Sequence, residues 1–134
     1  MPASSLAATL NAVDGEVSAL EIRLNEGGEL PLDATVDAAQ ALVKRMLIAY
    51  LGSATDKPAP QEAEDLLAVW KALVKGDPSW NAIRDNCREL VYYRNCLDAG
   101  RLDALPRAPA KMAVRTLRHL HLFIKSRGER ESRL

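Results

Sequence analysis

Two histidines, two cysteines, an acidic cluster and one oddly placed arginine are the side chains in this 134-residue chain whose types and spacing could do chemistry. His119 and His121 are the only imidazoles, two residues apart in a stretch with helical period. On a helix such a pair projects about 200° apart, so the rings cannot grip one metal ion together. Helical di-metal sites place a Glu three residues before a histidine; Thr116 and Arg118 stand there instead. His121 falls beside Val114 and Leu117 at the edge of an apolar face. It reads as a boundary histidine, since no Ser or Cys is placed locally to be its nucleophile. Cys87 and Cys96 are separated by about 13.5 Å of helical rise and about 180° of rotation. That rules out a disulfide between them within one helix, and the spacing suits no metal. Glu62, Glu64 and Asp65 gather like an acid site, but the first turn of a helix opening at Pro60 explains them through the helix dipole. The expectation is no metal, no cofactor and no catalytic constellation.

Arg94 is the most informative single residue. The stripe Ile83, Cys87, Leu90, Arg94, Leu97 has spacings 4, 3, 4, 3, which sets an arginine in a core-facing position. A guanidinium buried without a partner is strongly unfavourable, so it must meet a carboxylate, helix C-terminal carbonyls or an anionic ligand. Two readings stay open. One is an internal ion pair or a side chain that snorkels to the edge; the other is a ligand-facing or subunit-facing arginine in a pocket, with Tyr92 or Tyr93 beside it.

Charge distribution is the second signal. The 18 basic and 18 acidic side chains cancel, yet residues 1–69 hold 4 basic and 11 acidic groups and residues 70–134 hold 14 and 7. Towards the C-terminus, Lys111, Arg115, Arg118 and Lys125 fall within about 80° of rotation on one helix, opposite Ala113, Leu117, Leu120 and Ile124. Arg84, Arg88, Tyr92 and Asn95 form a similar face one helix earlier. These basic faces either pack against the acidic half of the protein or bind an acidic partner or a nucleic acid. Balanced net charge favours the first, because dedicated nucleic-acid domains tend to be basic.

The elements that must carry these residues are helices. Ala (21) and Leu (20) far outweigh the strand-favouring set of Val, Ile, Thr and aromatics, 22 in all. Period and punctuation place five helices, at roughly 5–25, 33–51, 60–75, 78–99 and 109–127, as one all-α bundle. A single domain over 1–134 is expected, with 129–134 a frayed tail. In the first helix Leu6, Leu10, Val13, Val17, Leu20 and Leu24 follow heptad spacing. Such a seam suits either the core or self-association, and a homodimer is expected. Met46 to Leu51 is apolar all round, which places the end of the second helix at the centre of the fold or against a subunit.

No apolar stretch is long enough to span a membrane, and no basic residue precedes Arg23 to make a signal peptide. A cytoplasmic setting is expected. The functional expectation is a non-catalytic interaction or regulatory module that self-associates. A nucleic-acid-binding protein using the fourth and fifth helices is the alternative, and a small enzyme or ligand-binding bundle centred on Arg94 is third.

Overall fold

A computed structural model describes residues 4–54 and 64–134. Five α-helices account for most of them: α1 (Ser4–Asn25), α2 (Leu32–Ala54), α3 (Leu66–Gly76), α4 (Arg84–Asp98) and α5 (Pro109–Arg130). Two 3₁₀ turns, Pro78–Ile83 and Leu102–Ala104, complete the order, and the described residues contain no strand. The all-α bundle expected from composition is what forms. Two helix ends show why glycine punctuates them. Gly27 and Gly100 take left-handed φ of +78° and +69°. The next N–H then reaches back five residues, Gly28 to the Arg23 carbonyl at 2.9 Å and Arg101 to that of Cys96 at 2.8 Å, which satisfies the end of the helix.

α2 is the central helix and packs on all four others. Its apolar end does what all-round hydrophobicity requires: Met46, Leu47 and Tyr50 are buried, with Ile48, Ala49 and Leu51 packed against the same core.

The third, fourth and fifth helices differ from expectation in their ends. Pro60 and Glu62, placed in a first helical turn, lie outside the described residues. Glu64 precedes α3, and Asp65 is its N-cap, accepting from the Ala68 N–H at 2.8 Å. The continuous helix expected over 78–99 splits at Arg84. The Trp80 carbonyl accepts the Trp70 indole N–H at 3.0 Å, and the Arg84 N–H turns to Asn81. The side-chain donor thus takes the acceptor that an α-helix would have used, leaving a 3₁₀ turn in front of α4.

α5 does not stop at Gly128. It runs on to Arg130, because Gly128 is a close-packing site: a Cβ there would stand 3.2 Å from Leu134 Cγ. The tail expected to fray instead folds back, with the Arg133 N–H on the Gly128 carbonyl at 2.8 Å and its guanidinium on the Ser53 carbonyl at 3.0 Å.

Of the two roles open to the heptad seam of α1, core and self-association, the structure shows the core. Leu6, Leu10, Val13 and Val17 are buried inside the chain, and Leu20 and Leu24 are half-buried. α1 lies on both α2 and α5, and that pair supplies the partner surface that a second subunit was expected to give. Leu10→Ala should therefore cost about 3 kcal/mol of folding stability, read by urea denaturation. Leu10→Glu should unfold the chain. A folded Leu10→Glu protein that differs from wild type only in oligomeric state would show the seam to be an interface.

Candidate interaction surface

Three core-edge arginines organise the polar structure. Arg94, 20% exposed, sits on α4 with its Nη1 2.6 Å from Asp33 and 2.7 Å from Asp37, both in the first two turns of α2, and its Nη2 2.9 Å from Asp98. Its Nε also reaches Asp98, so every nitrogen of the guanidinium is engaged. The hydrogen bonds it donates to Asp33 and Asp37 push its pKa further up. A concavity of about 710 Å³ lies beside it, lined in part by Gln40, Lys71, Val91 and Asn95. Neither neighbouring tyrosine works with Arg94: Tyr92 donates to the Ala104 carbonyl at 2.9 Å, and buried Tyr93 donates to Glu89 at 2.7 Å.

Arg118 was expected on the outer basic face of α5 and is corrected. It turns sideways onto α1, where it bonds Asp14 at 2.7 Å, Glu21 at 2.9 Å and Ser18 at 3.1 Å. Behind it, His121 is buried with Nε2 3.1 Å from the Leu10 carbonyl and Nδ1 3.2 Å from Arg118 Nη1. A carbonyl only accepts and a guanidinium only donates, so Nε2 carries the proton and Nδ1 is bare. Burial holds the imidazole below its ordinary pKa, and the charges of Arg118 and Lys125 act in the same direction against Asp14. Arg118 in turn holds the Asp14 carboxyl below the usual carboxylate range.

Arg127 is the residue that sequence reasoning missed. It is buried on α5, stacked 4.5 Å over the Trp80 ring, and bonded to Asp77, Ser79 and Glu131. Glu131 also accepts from Tyr50, whose phenol is pushed up to about 12 by burial and by that carboxylate. This cluster ties the ends of α2 and α5 to the turn after α3. The signal was present: Ala113, Leu117, Leu120, Ile124 and Arg127 repeat the 4, 3, 4, 3 spacing that singled out Arg94.

With those arginines withdrawn, the outer surface of α5 presents Lys111, Arg115 and Lys125. All three are exposed, and none makes a hydrogen bond or ion pair with another described residue. Leu122 stands among them, 54% exposed. The basic row of α4 does not join them. Where α4 meets α5, Glu89 accepts from Thr116 at 2.7 Å. Arg84 and Arg88 lie about 100° or more round α4 from Glu89, and Arg84 is bonded to Asp85. The predicted anion-binding residues thus divide into separate surfaces, with Arg118 in neither. Both cysteines are buried and free, and burial pushes the Cys87 thiol up to about 12, which keeps it protonated. No helix among the described residues is long and apolar enough to cross a membrane.

No family model, curated protein or solved structure matches this chain.

Two outcomes follow from these clusters. The folded-state pKa of His121 lies below the unfolded value of about 6.5, so its contribution to stability is intact above that pH and is lost as pH falls through the folded-state value. The urea midpoint should therefore fall between about pH 7.5 and pH 5.5, and His121→Gln should flatten that fall; an unchanged slope in the variant would assign it to other groups. Arg127→Ala should cost about 3 kcal/mol and Arg127→Met clearly less, because methionine keeps the packing on Trp80. Equal small losses in the two variants would mean that the cluster is solvated.

Proposed function

We propose that this protein is a non-catalytic interaction module that recognises an acidic partner protein through the outer face of α5. The observation that carries the reading is the contrast among its cations. Arg94, Arg118 and Arg127 are each held by two or three carboxylates. Lys111, Arg115 and Lys125 are left without an ion pair on the face of α5 that also exposes Leu122. An exposed apolar residue in line with unpaired cations brings together the apolar and charged components of a protein interface. Such charges steer encounter with a partner of opposite sign.

This reading moves the partner surface away from the one first expected. A homodimer rested on the α1 seam and the apolar end of α2, and the core of the same chain uses both. A nucleic-acid surface would gain from adjoining basic rows on α4 and α5, and Glu89 occupies the seam between them. An enzyme centred on Arg94 would need guanidinium nitrogens that three aspartates already hold.

The test is fluorescence anisotropy with labelled polyglutamate and with a labelled DNA duplex and single strand, from about 50 to 200 mM salt. Polyglutamate should bind, its affinity should fall with salt, and Arg115→Glu/Lys125→Glu should weaken it about tenfold or more. Tighter binding of duplex than of polyglutamate at equal salt, lost in the same variant, would put nucleic acid in the partner's place. No binding to any of the three at low salt would overturn the reading.

A further inference from the structure

We propose that the cleft beside Arg94 binds a short, net-neutral peptide in extended form and holds it by its backbone. This site is separate from the α5 face and does not depend on it: among the described residues its walls come from α2, the start of α3 and the second half of α4. α2 packs on all four other helices, yet Ala41 near its middle is exposed. α3 and α4 both lie on α2, and the cleft opens between them over this alanine. Its volume of about 710 Å³ falls within the range of about 300 to 1,000 Å³ typical of small-ligand sites.

The charges of the lining balance. Asp37, Glu64 and Asp65 stand against Lys44, Lys71 and Arg94. Arg94 is held by Asp37 and, from outside the lining, by Asp33 and Asp98, while Asp65 is turned to the Ala68 N–H. An acidic or a basic polymer would therefore meet like charge in the same cleft. What the lining offers a ligand is neutral hydrogen bonding. The Leu90 carbonyl only accepts, so the Gln40 amide must turn its nitrogen to it, at 3.1 Å, and that bond fixes which way the amide points. Gln40 Oε1 is left over on a half-buried side chain of the cleft, with no partner among the described residues.

Asn95, one turn beyond Val91 on α4, adds a second amide, exposed and with neither its donor nor its acceptor engaged among the described residues. Two carboxamides on different walls complement the N–H and C=O groups that an extended peptide carries whatever its sequence. Half-buried Val91 and Leu67 supply apolar contact for a side chain. Length and polarity narrow the ligand further. From Asp37 to Lys44 the α2 wall rises about 10.5 Å, which is about three extended residues. Its acid stands at one end and its base at the other, so a tripeptide with its amino end toward Asp37 meets opposite charge at both ends.

The probe is the tripeptide Ala-Leu-Ala, titrated from about 0.1 to 10 mM into isotope-labelled protein and followed by amide chemical shifts. Free alanine and leucine in the same proportions are one control, and the tripeptide methylated on its peptide nitrogens is the other. Amides of α2 around Ala41 and of α4 around Asn95 should shift with a Kd of about 1 mM, and each control should bind about tenfold or more weakly. Ala41→Leu keeps a strong helix former and fills the middle of the cleft, so it should weaken binding about tenfold or more. Asn95→Ala, at an exposed position, should weaken it about threefold. Arg115→Glu/Lys125→Glu, on α5, should bind the tripeptide as the wild type does. Equal binding of either control would overturn the proposal, as would unchanged affinity in Ala41→Leu or in Asn95→Ala, or no shift at about 10 mM. Polyglutamate binding to α5 is a separate measurement, so each reading can fail without the other.

Discussion

A guanidinium turned toward a core must bring carboxylates to itself, and this constraint fixes how the helices of the bundle meet. Arg94 joins α4 to the start of α2, Arg118 joins α5 to α1, and Arg127 joins α5 to the turn beyond α3. Each lies where apolar packing gives way to solvent, so it orders the edge of the core while its partners keep some hydration. Such pairs add little net stability against an apolar alternative, because desolvation offsets the attraction. What they do impose is register. Sliding α5 along α1 by one turn would separate Arg118 from Asp14 and Glu21 together, whereas leucines and valines would find other neighbours.

The same constraint sorts the surface. Three aspartates gathered by one arginine concentrate negative charge at the α2–α4 junction. The outer face of α5 keeps cations that form no ion pair with a described carboxylate. The zero net charge is therefore an average over unlike regions, and the chain need not be basic overall to present a cationic face.

Much of this was legible in the sequence. Helix number, the central place of α2, and the exposed positions of Lys111, Arg115 and Lys125 all follow from the 3.6-residue period, which relates each side chain to the apolar face of its own helix. That measure also explains the failures. Arg118 lies on the polar side of α5 by rotation, yet α1 covers that edge, and a single helix carries no record of which neighbour flanks it. Gly128 looks like a helix end because glycine often is one; here a missing side chain makes room for Leu134. Pro78 announces a helix start correctly, but the tertiary bond from Trp70 to the Trp80 carbonyl decides which kind of helix follows. The α1 seam is the case in which one pattern has two physical solutions. A heptad buries its stripe equally well against helices of its own chain or of another, and period alone does not distinguish them.

The aromatic cluster has a spectroscopic consequence. Both tryptophans are buried, and Trp80 lies edge-on to Tyr50 and to Phe123. On α5 its contacts are Phe123 and Arg127, about 160° round the helix from Arg118 and Lys125. Intrinsic tryptophan emission thus originates wholly at the α2–α3–α5 junction, on the far side of α5 from its exposed cations. Emission would register loss of the core and stay dark to an event on the outer face, so one optical signal separates a chain that has lost its fold from one that has lost only its surface.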